Sequence, residues 1–144
     1  MEENSLPKFS VTKILDFCYG HRLLNYEGKC KHLHGHHARV EIVLTSDTLD
    51  RRGMVCDFLD IKKQLQPWID ARLDHKMLLN EADPLANFLK KEGEPIFLMP
   101  ENPTAENIAK LIFHEAKKLG LPVESVRLWE NPDSHATYKD ANHG

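Results

Sequence analysis

The stretch His37-Ala38-Arg39-Val40-Glu41-Ile42-Val43-Leu44 decides how the rest of the chain is read. Ala38, Val40, Ile42 and Leu44 alternate with His37, Arg39 and Glu41, and this period of two predicts a strand with one face in a core. Upstream, Phe9, Val11, Leu15 and Phe17 alternate with mostly polar residues and predict an earlier strand. A loop rich in Gly, Asn, Lys and His joins the two, ending near Gly35. Downstream, Asp50 to Gly53 makes a polar connection, and Met54 to Cys56 are expected to extend the sheet.

Asp57 is placed to cap a helix, because its carboxylate can accept a free backbone N–H. Beyond it Phe58, Ile61, Leu65, Trp68 and Ile69 recur at helical spacing. Pro67 lies inside that pattern and cannot donate to the carbonyl four residues back, so a kink or break is expected there. A second helix is predicted from about Ala105 to Leu119. Thr104 caps it, Glu106 favours its positive end, Ile108, Leu111, Ile112 and Ala116 form one stripe, and Gly120 with Pro122 ends it. Val126, Leu128 and Glu130 share one face of a third strand, and His135 to Lys139 make a fourth. Strand, strand, helix, helix, strand, strand predicts an α+β domain: an antiparallel sheet with helices on one face. Val43 and Trp129 fall on the outward side of their strands, an apolar surface for partner subunits to cover.

At 144 residues the chain is read as one domain, 1–144, with a core of its own. Its composition, 41% hydrophobic and 28% charged, is that of a soluble globular protein. The net charge of −3 gives no basic excess of the kind that releases counterions from nucleic acid, which sets DNA and RNA aside. Met1 to Ser10 is polar and acidic, without the order of a signal peptide. No apolar run approaches the ~18 residues of a membrane span. Three cysteines, an odd number, argue for a reducing compartment, hence the cytoplasm, rather than a disulfide framework.

Nine histidines is a high count, and His32, His34, His36 and His37 crowd together. In a strand, residues two apart point the same way, so His34 and His36 can present two imidazoles to one metal ion. His21, at the far end of the preceding strand, would supply a third. Three neutral nitrogens leave a coordination position open for substrate or water, which suits a catalytic zinc. Iron or nickel could occupy the same ligands. Cys30 lies between Lys29 and Lys31 and near the expected cation, where positive neighbours favour the reactive thiolate. Cys18 and Cys56 are read as buried and inert.

Leu73-Asp74-His75-Lys76 follows the first helix. A histidine with an acidic neighbour can act as a general acid or base held in one tautomer, although taken alone the pair is better explained as a solvated loop. Adjacent side chains diverge in extended backbone, so an Asp74–His75 contact requires a turn. Glu130 continues the face of Val126 and Leu128, where an unpaired carboxylate is costly to bury. The two parallel N–H donors of a 2-amino-4-oxo pterin or a guanine would satisfy it, as would simply reaching water at the strand end.

These segments together resemble a known family. Phe17-Cys-Tyr-Gly-His21-Arg-Leu, Cys30-Lys-His-Leu-His34-Gly-His36, Gly53-Met-Val-Cys-Asp57-Phe58, Leu73-Asp74-His75, Asn102-Pro103-Thr104-Ala-Glu106 and Trp129-Glu130 resemble, in order, the motifs of the 6-pyruvoyl-tetrahydropterin and 6-carboxy-tetrahydropterin synthases. The likeness spans Phe9 to Lys139. It implies a tunnelling fold, in which a four-stranded antiparallel sheet with two helices closes into a trimeric barrel and two trimers stack into a homo-hexamer. It implies zinc on His21, His34 and His36, Cys30 as the proton-abstracting thiolate, Asp74 and His75 as a relay, and Glu130 as the pterin anchor. Thr104 and Glu106 match the motif near the pterin pocket. The implied substrate is 7,8-dihydroneopterin triphosphate, and no organic cofactor is needed.

Lys31, His32 and Leu33 separate Cys30 from His34. That spacing of three resembles the bacterial queuosine-pathway branch, a lyase forming the 6-carboxy product; the animal pyruvoyl-forming enzymes usually have five residues there. His37 stands where a hydroxyl or apolar residue is more familiar, and Asn131-Pro-Asp-Ser-His135 makes a different final hairpin. Besides the pyruvoyl-forming enzyme, the competing readings are a non-catalytic zinc-dependent pterin binder, which would not depend on Cys30, and a zinc-stabilised structural oligomer.

Overall fold

In the computed structural model, which describes residues 6–140, the two alternating segments form the longest strands, β1 (Phe9–His21) and β2 (His34–Ser46). The start of the Met1–Ser10 segment lies outside the described residues. β1 and β2 pair antiparallel along their whole length, Phe9 opposite Ser46 and His21 opposite His34. Leu15, Phe17, Ala38, Val40, Ile42 and Leu44 are buried on one face, as the period of two requires.

The helix after Asp57 is α1 (Phe58–Arg72), and the Asp57 carboxylate accepts the Leu59 N–H at 2.9 Å. Of the kink or break expected at Pro67, a break does not occur: the helix runs on through it. Lys63 and Pro67 both lie on the exposed side, so the carbonyl that loses its donor faces water while Ile61, Leu65 and Ile69 stay buried. Met54 to Cys56 add no strand. The Asp50 carboxylate accepts the N–H groups of Arg52 and Met54, curling the segment into a closed turn.

The sheet itself is larger than expected. The described residues form six strands and three helices, where four strands and two helices were read. β3 (Lys76–Asn80), α2 (Leu85–Lys91) and β4 (Ile96–Met99) come from a segment with no clear period. β3 pairs parallel with β1 and β4 parallel with β3, so the sheet is mixed, in the order β4-β3-β1-β2-β5-β6. Leu78 and Leu79 are both buried, which erases the alternation that would have marked β3.

α3 (Ala105–Lys118) has its N-terminus on Thr104, whose hydroxyl accepts the Asn107 N–H at 3.1 Å, and Gly120 follows it with φ +87°. Its buried stripe is Ile108, Ala109, Ile112, Phe113 and Ala116, with Leu111 only half-buried. β5 (Val123–Asn131) and β6 (Ser134–Lys139) make the closing antiparallel hairpin. α1 and α3 share one core with the inner face of the sheet, each fully buried Leu or Ile contributing about 1.5–3 kcal/mol. No helix among the described residues is long and apolar enough to cross a membrane.

Candidate active site

The same alternation that buries Phe17 and Ala38 carries the inner face on to Tyr19, His21, His34 and His36. The register sets His21 opposite His34 and Tyr19 opposite His36, so three imidazoles meet at the end of the strand pair. Their ring centroids lie 4.5–5.1 Å apart. Gly35 between the two histidines permits this approach, because a Cβ there would stand 3.0 Å from the Tyr19 carbonyl oxygen.

Two of the rings are held in a defined tautomer. His21 Nδ1 lies 2.7 Å from the Pro103 carbonyl oxygen, and His34 Nδ1 2.7 Å from that of His32. A carbonyl only accepts, so each Nδ1 carries the proton and each Nε2 keeps a free lone pair. The Nε2 atoms of His21, His34 and His36 are all buried without a hydrogen-bond partner among the described residues. One ring nitrogen from each histidine lies within 4.8 Å of those of the other two. Three buried bare nitrogens facing a common point would be an uncompensated cost in a purely structural site, and they fit a metal ion.

Glu130 sits at the edge of this cluster. Its Oε2 is 3.9 Å from His36 Nε2 and 4.0 Å from His21 Nε2, and it accepts the Tyr19 hydroxyl at 3.5 Å. Tyr19 is a member of the site that the sequence reading missed, although its place between Phe17 and His21 on one strand face was the available signal. Burial first, then the charge and hydrogen bond of Glu130, push its phenol well above the usual range. Burial likewise lowers His36, with His34 adding to the effect and Glu130 opposing it.

His21 is lowered to about 4, chiefly by burial, with the Pro103 carbonyl opposing. In the unfolded chain it takes a proton near the ordinary value of about 6.5, so between these values the unfolded state binds more protons. The metal-free protein should therefore be about 2 kcal/mol less stable at pH 5 than at pH 7.5. Urea unfolding of metal-free protein at the two pH values measures this, and equal free energies would contradict it.

Asp74 and His75 do make contact, through the turn that the sequence reading required. His75 takes φ +61°, which swings its ring back so that Nδ1 lies 2.8 Å from Asp74 Oδ2. The other Asp74 oxygen accepts the Cys18 N–H at 2.9 Å, and the His75 N–H donates to the Cys18 carbonyl. Burial works against the Asp74 charge, but the Cys18 N–H, His75 and Lys76 outweigh it and hold the carboxyl below its usual value. His75 is exposed and lines an open cleft of about 450 Å³ with Cys18, Gly20, Gly35, His36 and Met77.

Cys30 occupies a single 3₁₀ turn, Lys29–Lys31, between His21 and His34. Its carbonyl accepts the Leu23 N–H at 2.8 Å, and among the described residues no hydrogen bond engages its thiol. Thr104 caps α3, and Glu106 is exposed in that helix's first turn. Cys18 and Cys56, read as buried, are both only partly so. Cys18 alternates with Phe17 and Tyr19 and so faces outward, its Sγ 3.7 Å from His37 Nδ1. Burial, with Asp60 and Asp57 nearby, pushes the Cys56 thiol up.

Known proteins resemble this chain in sequence and in fold. The 6-pyruvoyl tetrahydropterin synthase family model matches residues 10–141. A 6-carboxy-5,6,7,8-tetrahydropterin synthase of Rickettsia typhi is 42% identical over 68% of this chain and 72% of its own. One of Haemophilus influenzae is 31% identical over 92% of this chain and 99% of its own. An uncharacterised Wolinella succinogenes protein of known structure superposes with a TM-score of 0.75 at 27% identity, covering 92% of this chain and 98% of that one. The chain belongs to the 6-pyruvoyl tetrahydropterin synthase family.

Proposed function

We propose that this chain is a 6-carboxy-5,6,7,8-tetrahydropterin synthase, converting 7,8-dihydroneopterin triphosphate to the 6-carboxy product with loss of triphosphate and acetaldehyde, on the route to queuosine. The observation that carries the reading is the trio of buried, unpartnered Nε2 atoms at the end of β1 and β2, with a carboxylate beside them. The names of the curated relatives favour the carboxy-forming branch over the pyruvoyl-forming one, as does the three-residue spacing from Cys30 to His34.

A zinc ion held by His21, His34 and His36 would act as a Lewis acid on the hydroxyls of the substrate side chain. Cys30, as thiolate, removes a side-chain proton. His75, with its Nδ1 proton held on Asp74, delivers or accepts one at Nε2. Glu130 accepts the paired N–H donors of the pterin edge and, with the Tyr19 hydroxyl steadying its Oε2, fixes the reacting carbon within reach of both groups. Thr104 and Glu106 lie beside the pterin pocket in this reading. Incubating purified protein with dihydroneopterin triphosphate and identifying products by mass is the test. The 6-carboxy product with acetaldehyde is expected; a pyruvoyl product alone would move the chain to the other branch, and no turnover would leave a pterin binder.

The outward sheet face supports assembly into a cytoplasmic hexamer of two stacked trimers. Ile14 is 49% exposed there, and Val43 and Trp129 are only half-covered. Light scattering at micromolar concentration should give a species several times the 16.6 kDa chain mass, and a monomer would remove the assembly from the reading.

A further inference from the structure

We propose that Asn102 is a positioning residue for the metal centre, holding the Pro103 carbonyl that orients His21 and the loop that carries Cys30. The inference rests on the reading of the three histidines as metal ligands.

The two ring-orienting carbonyls are held very differently. That of His32 is two residues from its ring and comes with the local backbone. That of Pro103 reaches His21 across 82 residues of sequence, so His21 is only as well oriented as the 102–104 segment is placed. Proline has no N–H with which to anchor itself, and the anchoring falls to its neighbours.

Asn102 supplies it from both ends of its side-chain amide. Its Oδ1 accepts the Leu24 N–H at 3.0 Å and the Asn80 amide at 3.1 Å, and its Nδ2 donates to the Leu24 carbonyl at 2.9 Å. The two-way bond with Leu24 imitates a strand pair. The Asn102 main-chain carbonyl accepts the Asn107 amide at 2.9 Å and the Thr104 N–H at 2.8 Å, which ties the segment to α3. Leu24 lies three residues after His21, and neighbouring Leu23 bonds the Cys30 carbonyl. One side chain thus joins the segment bearing His21 and Cys30 to the segment bearing the acceptor of His21.

The chemistry admits few substitutes. Aspartate would turn an acceptor toward the Leu24 carbonyl, and alanine would leave both Leu24 groups unpaired.

The test uses Co2+ as a spectroscopic probe, titrated into metal-free protein with a competing chelator. Wild type should bind with a tetrahedral-type visible spectrum. Asn102→Ala and Asn102→Asp should bind about 10- to 100-fold more weakly, the usual loss when an outer-sphere partner of a ligand is removed. Asn107→Ala removes only the bond to the Asn102 carbonyl and should cost about 3- to 10-fold. Ile112→Val, a core change, serves as the stability control and should keep wild-type affinity. Wild-type affinity in Asn102→Ala would overturn the inference, as would an equal loss in Ile112→Val. If both Asn102 variants fail to fold, Asn107→Ala decides: unchanged Co2+ affinity overturns it and the expected loss supports it. A wild-type protein that binds no Co2+ would overturn the metal reading itself and this inference with it, an outcome distinct from the others.

Discussion

Replacing His34 or His36 with alanine should strip the metal and stop turnover, while the sheet stays folded. The three Nε2 atoms converge from adjacent strands with no hydrogen-bond partner among the described residues, so each ring supplies a third of the expected protein ligands. Losing an outer-sphere partner costs roughly 10- to 100-fold in affinity, and losing a ligand should exceed that range. Both residues lie at the strand end, beyond the continuous apolar core, so truncation removes little packing. Metal analysis of each purified variant, with circular dichroism to confirm the fold, measures this. Full metal content in both variants would remove the triad from the mechanism.

Cys30 and Glu130 should fail in different ways. Cys30→Ala should abolish turnover and leave metal content and pterin affinity near wild type, because it removes a thiol that no hydrogen bond among the described residues engages. Glu130→Gln should weaken pterin binding, because an amide turns a donor toward the donors of the ligand. An unsatisfied or opposed buried group costs about 1–3 kcal/mol, or about 5- to 150-fold in affinity. Glu130 also takes the Tyr19 hydroxyl, so Tyr19→Phe should loosen the same anchor to a smaller degree. Titration with an unreactive pterin analogue beside turnover assays separates the cases. A Cys30→Ala protein turning over at the wild-type rate would favour the pterin-binding alternative.

The residues that sequence reading placed well are those whose signal is local. Alternation along 37–44 is a property of one strand, and it put His34 and His36 on one face before any pairing was known. The caps Asp57 and Thr104 are equally local, since each bonds an N–H two or three residues away. Pro67 does not break its helix: local chemistry predicts what proline removes, whereas the cost depends on whether the orphaned carbonyl meets water, which is a matter of burial.

By itself the sequence determined the two long strands, the capped helices, the shared face of His34 and His36, and the alignment of Glu130 with Val126 and Leu128. Only the tertiary structure decided the rest. β3 and β4 are too short to show a period, and they exist because the edge of β1 accepts β3 in parallel and β3 in turn accepts β4. The contact of His75 with Asp74 depends on a left-handed backbone at one residue, held by hydrogen bonds to Cys18 some 56 positions away. The tautomer of His21 depends on a carbonyl 82 residues distant, and the hydroxyl of Tyr19 meets Glu130 across 111. Periodicity reports which way a side chain leaves its own backbone. Which groups then face one another is set by register and by the packing of segments remote in the chain.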